Sequence, residues 1–463
     1  MTDEKIVVGL DIGSTKVCAV AGRLVRNKDH ATLEVLGVGR AASDGVTKGS
    51  VVNITKTAKA IEQAISEAAN QSDLDIQVVN VNFSGQHVAA RRQSGSITRS
   101  SPGDEVTISD INHLLGDMYR TVIPPGMEIV HVLPMDFTVD SELGVEDPVG
   151  RNGVKLGAEF QIITAQTNAA TNTRKCVERA DNGRIKREQM LLSPLASSLA
   201  VLTAEEREAG VALVDIGGGT TDVAIYHRNV LRHMAVFPWA GNTLTADIQE
   251  GCKVLPPQAE LLKTKFGCAD PADVKLNEVV SVPGLAGRQP KDVLLKNVAI
   301  IMEERLKEIA AMVQAEITRS GYEHKLLGGI VLTGGTASVP GIERIFQRVT
   351  GMDVRIGYPD QLERNPRADL VGDPAYATAL GLVWAGFKSL DERISFVSDP
   401  ARHIEPRPAM PATPNPLYGR EKEPNGRKEE KAKETETKEK TGWGVWKAIK
   451  SFLNDDIGNT ERY

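Results

Sequence analysis

Two short segments carry the same residue types in the same order, about two hundred residues apart: Asp11-Ile12-Gly13-Ser14-Thr15-Lys16 and Asp215-Ile216-Gly217-Gly218-Gly219-Thr220-Thr221-Asp222. Both suit an anion. Glycine admits turn dihedrals closed to other residues and lets backbone N–H groups approach without a Cβ in the way. The Ser and Thr hydroxyls add donors, and the leading Asp11 and Asp215 suit a hydrated Mg2+ beside phosphates. A third element, Gly334-Gly335-Thr336, follows an apolar run and precedes a helix that Pro340 helps to begin. Such a junction exposes N–H groups and lets a flat base or ribose approach. Singly, each segment is also an ordinary tight turn. Together, in this order, they imply duplicated lobes closing on one nucleotide.

The flanking sequence supplies the elements that must position these residues. Ile6 to Leu10 and Val211 to Val214 lead into the two turns, and Val17 to Val20 and Val223 to Tyr226 leave them, so each is strand, glycine turn, strand. Thr32 to Gly39 reads as a third strand and Gln77 to Phe83 as another, with helical spacing from Ile54 to Ala68 between them and Asn53 placed to cap. From 84 to 163 the texture changes: an Arg- and Ser-rich stretch leads to a short helix around Ser109–Met118, then strand-like runs at Ile129–Val139 and Val154–Ile163. A helix at Ala169–Ala180, the strand Met190–Leu192 and a crossing helix opened by Pro194 return to the lobe. The second lobe adds helices at Asn242–Glu250, Pro257–Phe266, about Lys291 to Arg319, and Pro374–Phe387.

The expected fold is α/β: two lobes, with a small α+β module inserted in the first, then a disordered linker and a C-terminal amphipathic helix. The boundaries are 1–84 and 164–196 for the first lobe, 85–163 for the module, 197–240 and 305–390 for the second lobe, and 241–304 for its subdomain. The linker is 391–441 and the terminal helix 442–463.

Composition bounds the rest. At 463 residues with balanced charge the chain reads as globular, and a net charge of −6 with 4% aromatics gives no argument for nucleic acid. The four cysteines show no metal-ligand spacing and fit a reducing cytoplasm. The N-terminus enters a strand at once, which speaks against secretion. No segment approaches the roughly twenty apolar residues that span a bilayer.

Phosphate hairpin, crossing helix, second hairpin, glycine turn and final Ala/Gly-rich helix form the pattern of the actin/Hsp70/sugar-kinase ATPase superfamily. Within it, the chain resembles the bacterial cell-division family FtsA. The stretches that carry the likeness include VVGLDIGSTKV, NFSGQH, DPVGRNGV, LASS, AGVALVDIGGGTTDVAIY and GIVLTGGT. The resemblance implies that Gly13, Ser14, Thr15 and Lys16, with Gly217, Gly218, Gly219 and Thr220, hold ATP phosphates. Asp11 and Asp215 would lie near Mg2+, and Gly334, Gly335 and Thr336 would border the adenosine. Glu260 and Lys263 match an E-x-x-K pair that faces ribose and base in this superfamily; they are equally a surface i,i+3 ion pair. Arg305 matches a basic position that receives the C-terminal peptide of the tubulin-like FtsZ, and it is equally a solvated helix charge. Relatives often place an acid before the proline of the crossing helix, where Ser193 stands here. A hydroxyl is a poor base near neutral pH, so slow hydrolysis is expected, with no catalytic residue assigned. Asp222 is a candidate to stand in for that acid, although a strand-edge residue is its readier reading.

The last twenty residues carry a second chemistry. On a helical wheel Val445, Trp446, Ile449, Phe452 and Leu453 share a face, with Trp443 at its edge, Lys450 at the margin and Lys447 opposite. A helix of about a dozen residues is marginal in water and would fold on contact with lipid. Partial burial of six apolar side chains leaves a few kcal/mol, and two lysines add about one each at an anionic surface. One copy binds weakly, and a filament of many copies binds tightly. The expected function is an ATP-binding, polymerising adaptor that ties the FtsZ ring to the cytoplasmic face of the inner membrane at the division site, alongside other division proteins. The alternatives are an actin-like pilus-assembly component or a sugar kinase of the same fold.

Overall fold

The computed structural model describes residues 5–391 except 28–29, 100–102, 285–288 and 360–371. Two five-stranded sheets dominate it, and they are built alike. The first runs Lys186–Leu192, Val78–Phe83, Ile6–Ile12, Lys16–Asn27, His30–Ala42; the second runs Val354–Ile356, Ile330–Thr333, Val211–Ile216, Thr221–His227, Val230–Phe237. In each, the hairpin strands and the strand after them pair antiparallel. On the hairpin's other side two strands pair parallel. Parallel pairing needs long crossovers, and helices supply them. Val211–Ile216 is buried at every residue, as a strand covered on both faces must be.

The two helices between the sheets hold the lobes together. Ser193–Val201 continues from the last strand of the first sheet yet packs on the hairpin strands of the second. Ala377–Asp391 follows the second sheet yet packs on the first. They meet at Gly381, where any Cβ would overlap the carbonyl of Ala196. Ser193–Val201 is wholly buried, which is why its sequence shows no amphipathic stripe.

The segment between Val78–Phe83 and Lys186–Leu192 carries a separate four-stranded sheet, ordered Val88–Thr98, Lys155–Gln166, Met127–Val139, Glu142–Val145. The helix Ile108–Tyr119 closes its core with Ile111 and Leu114 against Phe137 and Phe160. Its strand Val88–Thr98 reaches the second lobe: Arg92 donates to the backbone oxygen of Arg232 at 3.0 Å, and Arg232 pairs with Asp136.

Local rules account for most boundaries. Asn53 caps Ile54–Ser72 by accepting from the N–H of Lys56, and Thr107 and Asp110 form a reciprocal capping box. Three expectations change. The long helix begins at Leu295, not Lys291, because Lys291–Leu294 pairs with Val279–Val282 as a small hairpin that buries Val293. The polar stretch after Ser84 is the strand Val88–Thr98, held by a ladder along its whole length to Lys155–Gln166 rather than by an apolar stripe. Past Gly334 the chain makes a 3-10 turn, Gly335–Ser338, and the α-helix starts only at Ile342. The linker and terminal-helix expectations, 392–463, lie outside the described residues.

Candidate functional site

The two hairpins face each other across the lobes. Each turn is closed by a backbone bond, Gly13 N–H to Lys16 at 3.0 Å and Gly217 N–H to Thr220 at 2.9 Å. Their tips touch. A Cβ on Gly218 would overlap the Thr15 hydroxyl, and one on Gly219 would overlap the Ser14 hydroxyl. Glycine at both positions lets the two tips meet across the lobes.

Behind the tips lies a cleft of about 400 Å³. It gathers Asp11, Gly13 to Lys16, Asp215, Gly217 to Thr220, Glu260, Lys263 and Gly334 to Thr336 in one place. Gly334 takes φ 84°, and a side chain there would strike Asp215. Thr336 donates to the backbone oxygen of Gly217 at 2.8 Å, so the glycine turn abuts the base of the second hairpin. Lys263 donates to Glu260 at 2.7 Å, to Thr245 at 2.8 Å and to the Gly241 oxygen at 3.0 Å. The i,i+3 pair and the cleft position thus both hold. Lys16 is turned aside: it donates to the Ala375 oxygen at 2.6 Å and lies 4.1 Å from the centre of the Tyr376 ring. Arg305 sits outside the cleft, paired with Asp247 at 2.6 Å and with Glu308. Trp443, Val445, Trp446, Lys447, Ile449, Lys450, Phe452 and Leu453 lie outside the described residues.

Three buried carboxylates form the floor, each held by a different partner. Asp11 accepts from the Asn82 amide at 2.7 Å. Asp215 accepts from Ser197 at 2.5 Å and Thr378 at 3.2 Å, one from each crossing helix. Asp222 accepts from Ser84 and, at 3.1 Å, from Thr220. Burial pushes Asp11 up to about 7 against the pull of Lys16, and Asp215 adds like charge. Burial also lifts Asp222 to about 7, helped by Asp215, and raises Asp215 itself. A floor of this kind favours a cation. Among the described residues no three His, Cys, Asp or Glu side chains stand close enough to cage a metal. Asp11 and Asp215 are a donor set of the kind Mg2+ takes, one or two carboxylates with water and phosphate oxygens completing its shell.

Ser193 lines the same cleft, buried, and accepts from Asn82 at 3.1 Å. Asp222 is no strand-edge residue: it is 3% exposed and faces the cleft. Asn82, Ser84, Ser197 and Thr378 went unread in the sequence. Asn82 had left a signal, a polar residue at an inward position of the apolar strand Val-Val-Asn-Val-Asn-Phe.

Two like-built sheets, crossed by a helix from each lobe and meeting at paired glycine hairpins, define the actin-like two-lobed α/β class. A solved PilM-PilN type IV pilus biogenesis complex shares this fold, with a TM-score of 0.56 and 15% identity over 82% of this chain and 98% of that one. Sequence comparison is more specific. The profile for "Cell division protein FtsA" matches residues 212–381, and "SHS2 domain inserted in FTSA" matches 85–164. The cell division protein FtsA of Pseudomonas aeruginosa is 35% identical over 407 residues, 88% of this chain and 95% of that protein. That of Escherichia coli K12 is 36% identical over 395 residues, 84% and 92% respectively. The chain belongs to the FtsA family of cell division proteins.

Proposed function

We propose that the chain binds Mg·ATP in the cleft, polymerises, and ties the FtsZ ring to the cytoplasmic membrane at the division site. One observation carries the nucleotide reading: both hairpins and the Gly334–Thr336 turn open onto a single cleft floored by Asp11 and Asp215. Phosphates would lie on the backbone of Gly13 to Lys16 and Gly217 to Thr220, with ribose and base toward Glu260, Lys263 and Thr336. Mg2+ would supply charge neutralisation between the two aspartates and the phosphates. Ser193, a hydroxyl bonded to Asn82, leaves the place before the proline without an acid, so turnover is slow and the nucleotide acts mainly to favour a closed, assembling state.

Arg305 lies on the helix Leu295–Ser320, at the border of the second-lobe subdomain, and belongs to the FtsZ-peptide surface in this reading. In the same reading the segment from Trp443 to Leu453 binds lipid, weakly in one copy and tightly in a filament. The described residues contain no helix long and apolar enough to cross a membrane. Electron microscopy of the full chain on a lipid monolayer with ATP tests the whole reading, with a chain lacking 442–463 beside it. Lipid-bound filaments are expected from the first and none on lipid from the second. Equal membrane binding by both would remove the anchor from the account.

A further inference from the structure

The second hairpin has a direction. At Gly217 it touches Thr336 and Gly241; at Gly219 it touches Ser14. A nucleotide whose adenosine lies by Gly334 to Thr336 therefore runs its phosphates toward Gly219. A miniature hairpin, Val46–Thr47 paired with Ser50–Val51, docks at that far end. The Gly49 N–H donates to the Ser14 hydroxyl at 2.9 Å, and the backbone nitrogen of Lys48 is 3.1 Å from where a Cβ on Gly219 would stand. The tip thus sits where the two phosphate hairpins meet.

The cationic side chains that line the cleft are each tied to a group of its wall. Lys16 is on Ala375 and Tyr376, Arg40 is drawn to Tyr376, and Lys263 is on Glu260. Three carboxylates lie beneath the phosphate path, so a second cation besides Mg2+ is needed where negative charge is greatest. Lys48 is exposed and makes no ion pair with the described residues. Its backbone is held at φ 50°, followed by Gly49 at φ 73°, the primed two-residue turn that favours Asn-Gly. Lysine is strained there, and asparagine would be less so. A strained residue beside a ligand path points to its side chain.

We propose that Lys48 reads the terminal phosphate of ATP and so separates ATP from ADP at this cleft; this rests on the nucleotide reading above. Its ammonium, a compact charge on a flexible four-carbon stem, reaches over Ser14 and Gly219 to the outermost phosphate and contributes nothing to a diphosphate that stops short. Calorimetric titration of the full chain with Mg·ATP and Mg·ADP tests it. Lys48→Asn keeps the turn and removes the charge; Lys48→Arg keeps the charge. Lys48→Asn is expected to weaken ATP about 10-fold or more while ADP shifts less than about 2-fold, with Lys48→Arg near wild type for both. Equal weakening of ATP and ADP, or unchanged ATP binding, would overturn the role of Lys48 and leave the cleft intact. A wild-type chain that bound neither nucleotide would overturn the cleft reading and this one with it.

Discussion

The two sheets share strand order and direction, yet they hold their leading aspartates differently. Next to Asp11, on the neighbouring parallel strand, stands Asn82, whose side chain bonds Asp11, the Ile12 N–H and Ser193. The strand residue paired with Asp215 is Thr333, and it turns away to the Gly357 oxygen at 3.1 Å. Asp215 is left to Ser197 and Thr378, one on each crossing helix. The first hairpin is thus fixed mainly within its own lobe. The second is fixed to the two helices that join the lobes, so its aspartate feels how the lobes sit together. A duplicated scaffold holds one aspartate from within its lobe and the other from the two helices that join the lobes.

Acid gives the broadest separation of the two halves. His131 is buried in the module, accepts from the Leu192 N–H at 3.3 Å, and is pushed down to about 3 by burial; His87 is pushed down to about 4 the same way. Unfolded histidine takes up a proton near 6.5, while both native rings stay neutral well below that. Their contribution is therefore present above about 6.5 and lost as pH falls through about 4 and then about 3. Thermal melts across that range should show the melting temperature dropping steeply, with His131→Gln flattening the slope. An unchanged slope would show that the first-lobe side does not set acid stability.

The joint between the lobes comes next. Gly381→Val forces a side chain into the Ala196 carbonyl and should cost about 3 kcal/mol in urea unfolding. Asn82→Leu, which leaves Asp11 and the Ile12 N–H without that partner, should cost about 2 kcal/mol, while Thr333→Val at the matching site should cost about 1. Equal losses at Asn82 and Thr333 would erase the distinction drawn between the lobes. Smallest of all is Asn53→Ala, which removes one helix cap for about 1 kcal/mol or less and should leave the cleft untouched.

What the sequence disclosed follows from where its signals are local. The hairpins were legible because glycine, hydroxyl and Asp fall within six residues of chain and the flanking strands are continuous apolar runs. Glu260 and Lys263 were legible as an i,i+3 pair. Ser197 and Thr378 were not, because a Ser in a wholly buried helix and a Thr in an Ala/Gly-rich one look like small packing residues until the lobes cross. Asp222 was misread for a related reason: its partner Ser84 lies 138 residues away on the other lobe. Val88–Thr98 carried no apolar alternation to announce it, since its order comes from a backbone ladder.

The central claim is that both hairpins serve one Mg·ATP. Calorimetric titration of the full chain with Mg·ATP, repeated for Asp11→Asn and for Asp215→Asn, tests it most directly. One nucleotide per chain is expected, with Mg-dependent binding weakened at least about 10-fold by either substitution alone. Binding that survives one of them unchanged, or two nucleotides per chain, would contradict a shared cleft.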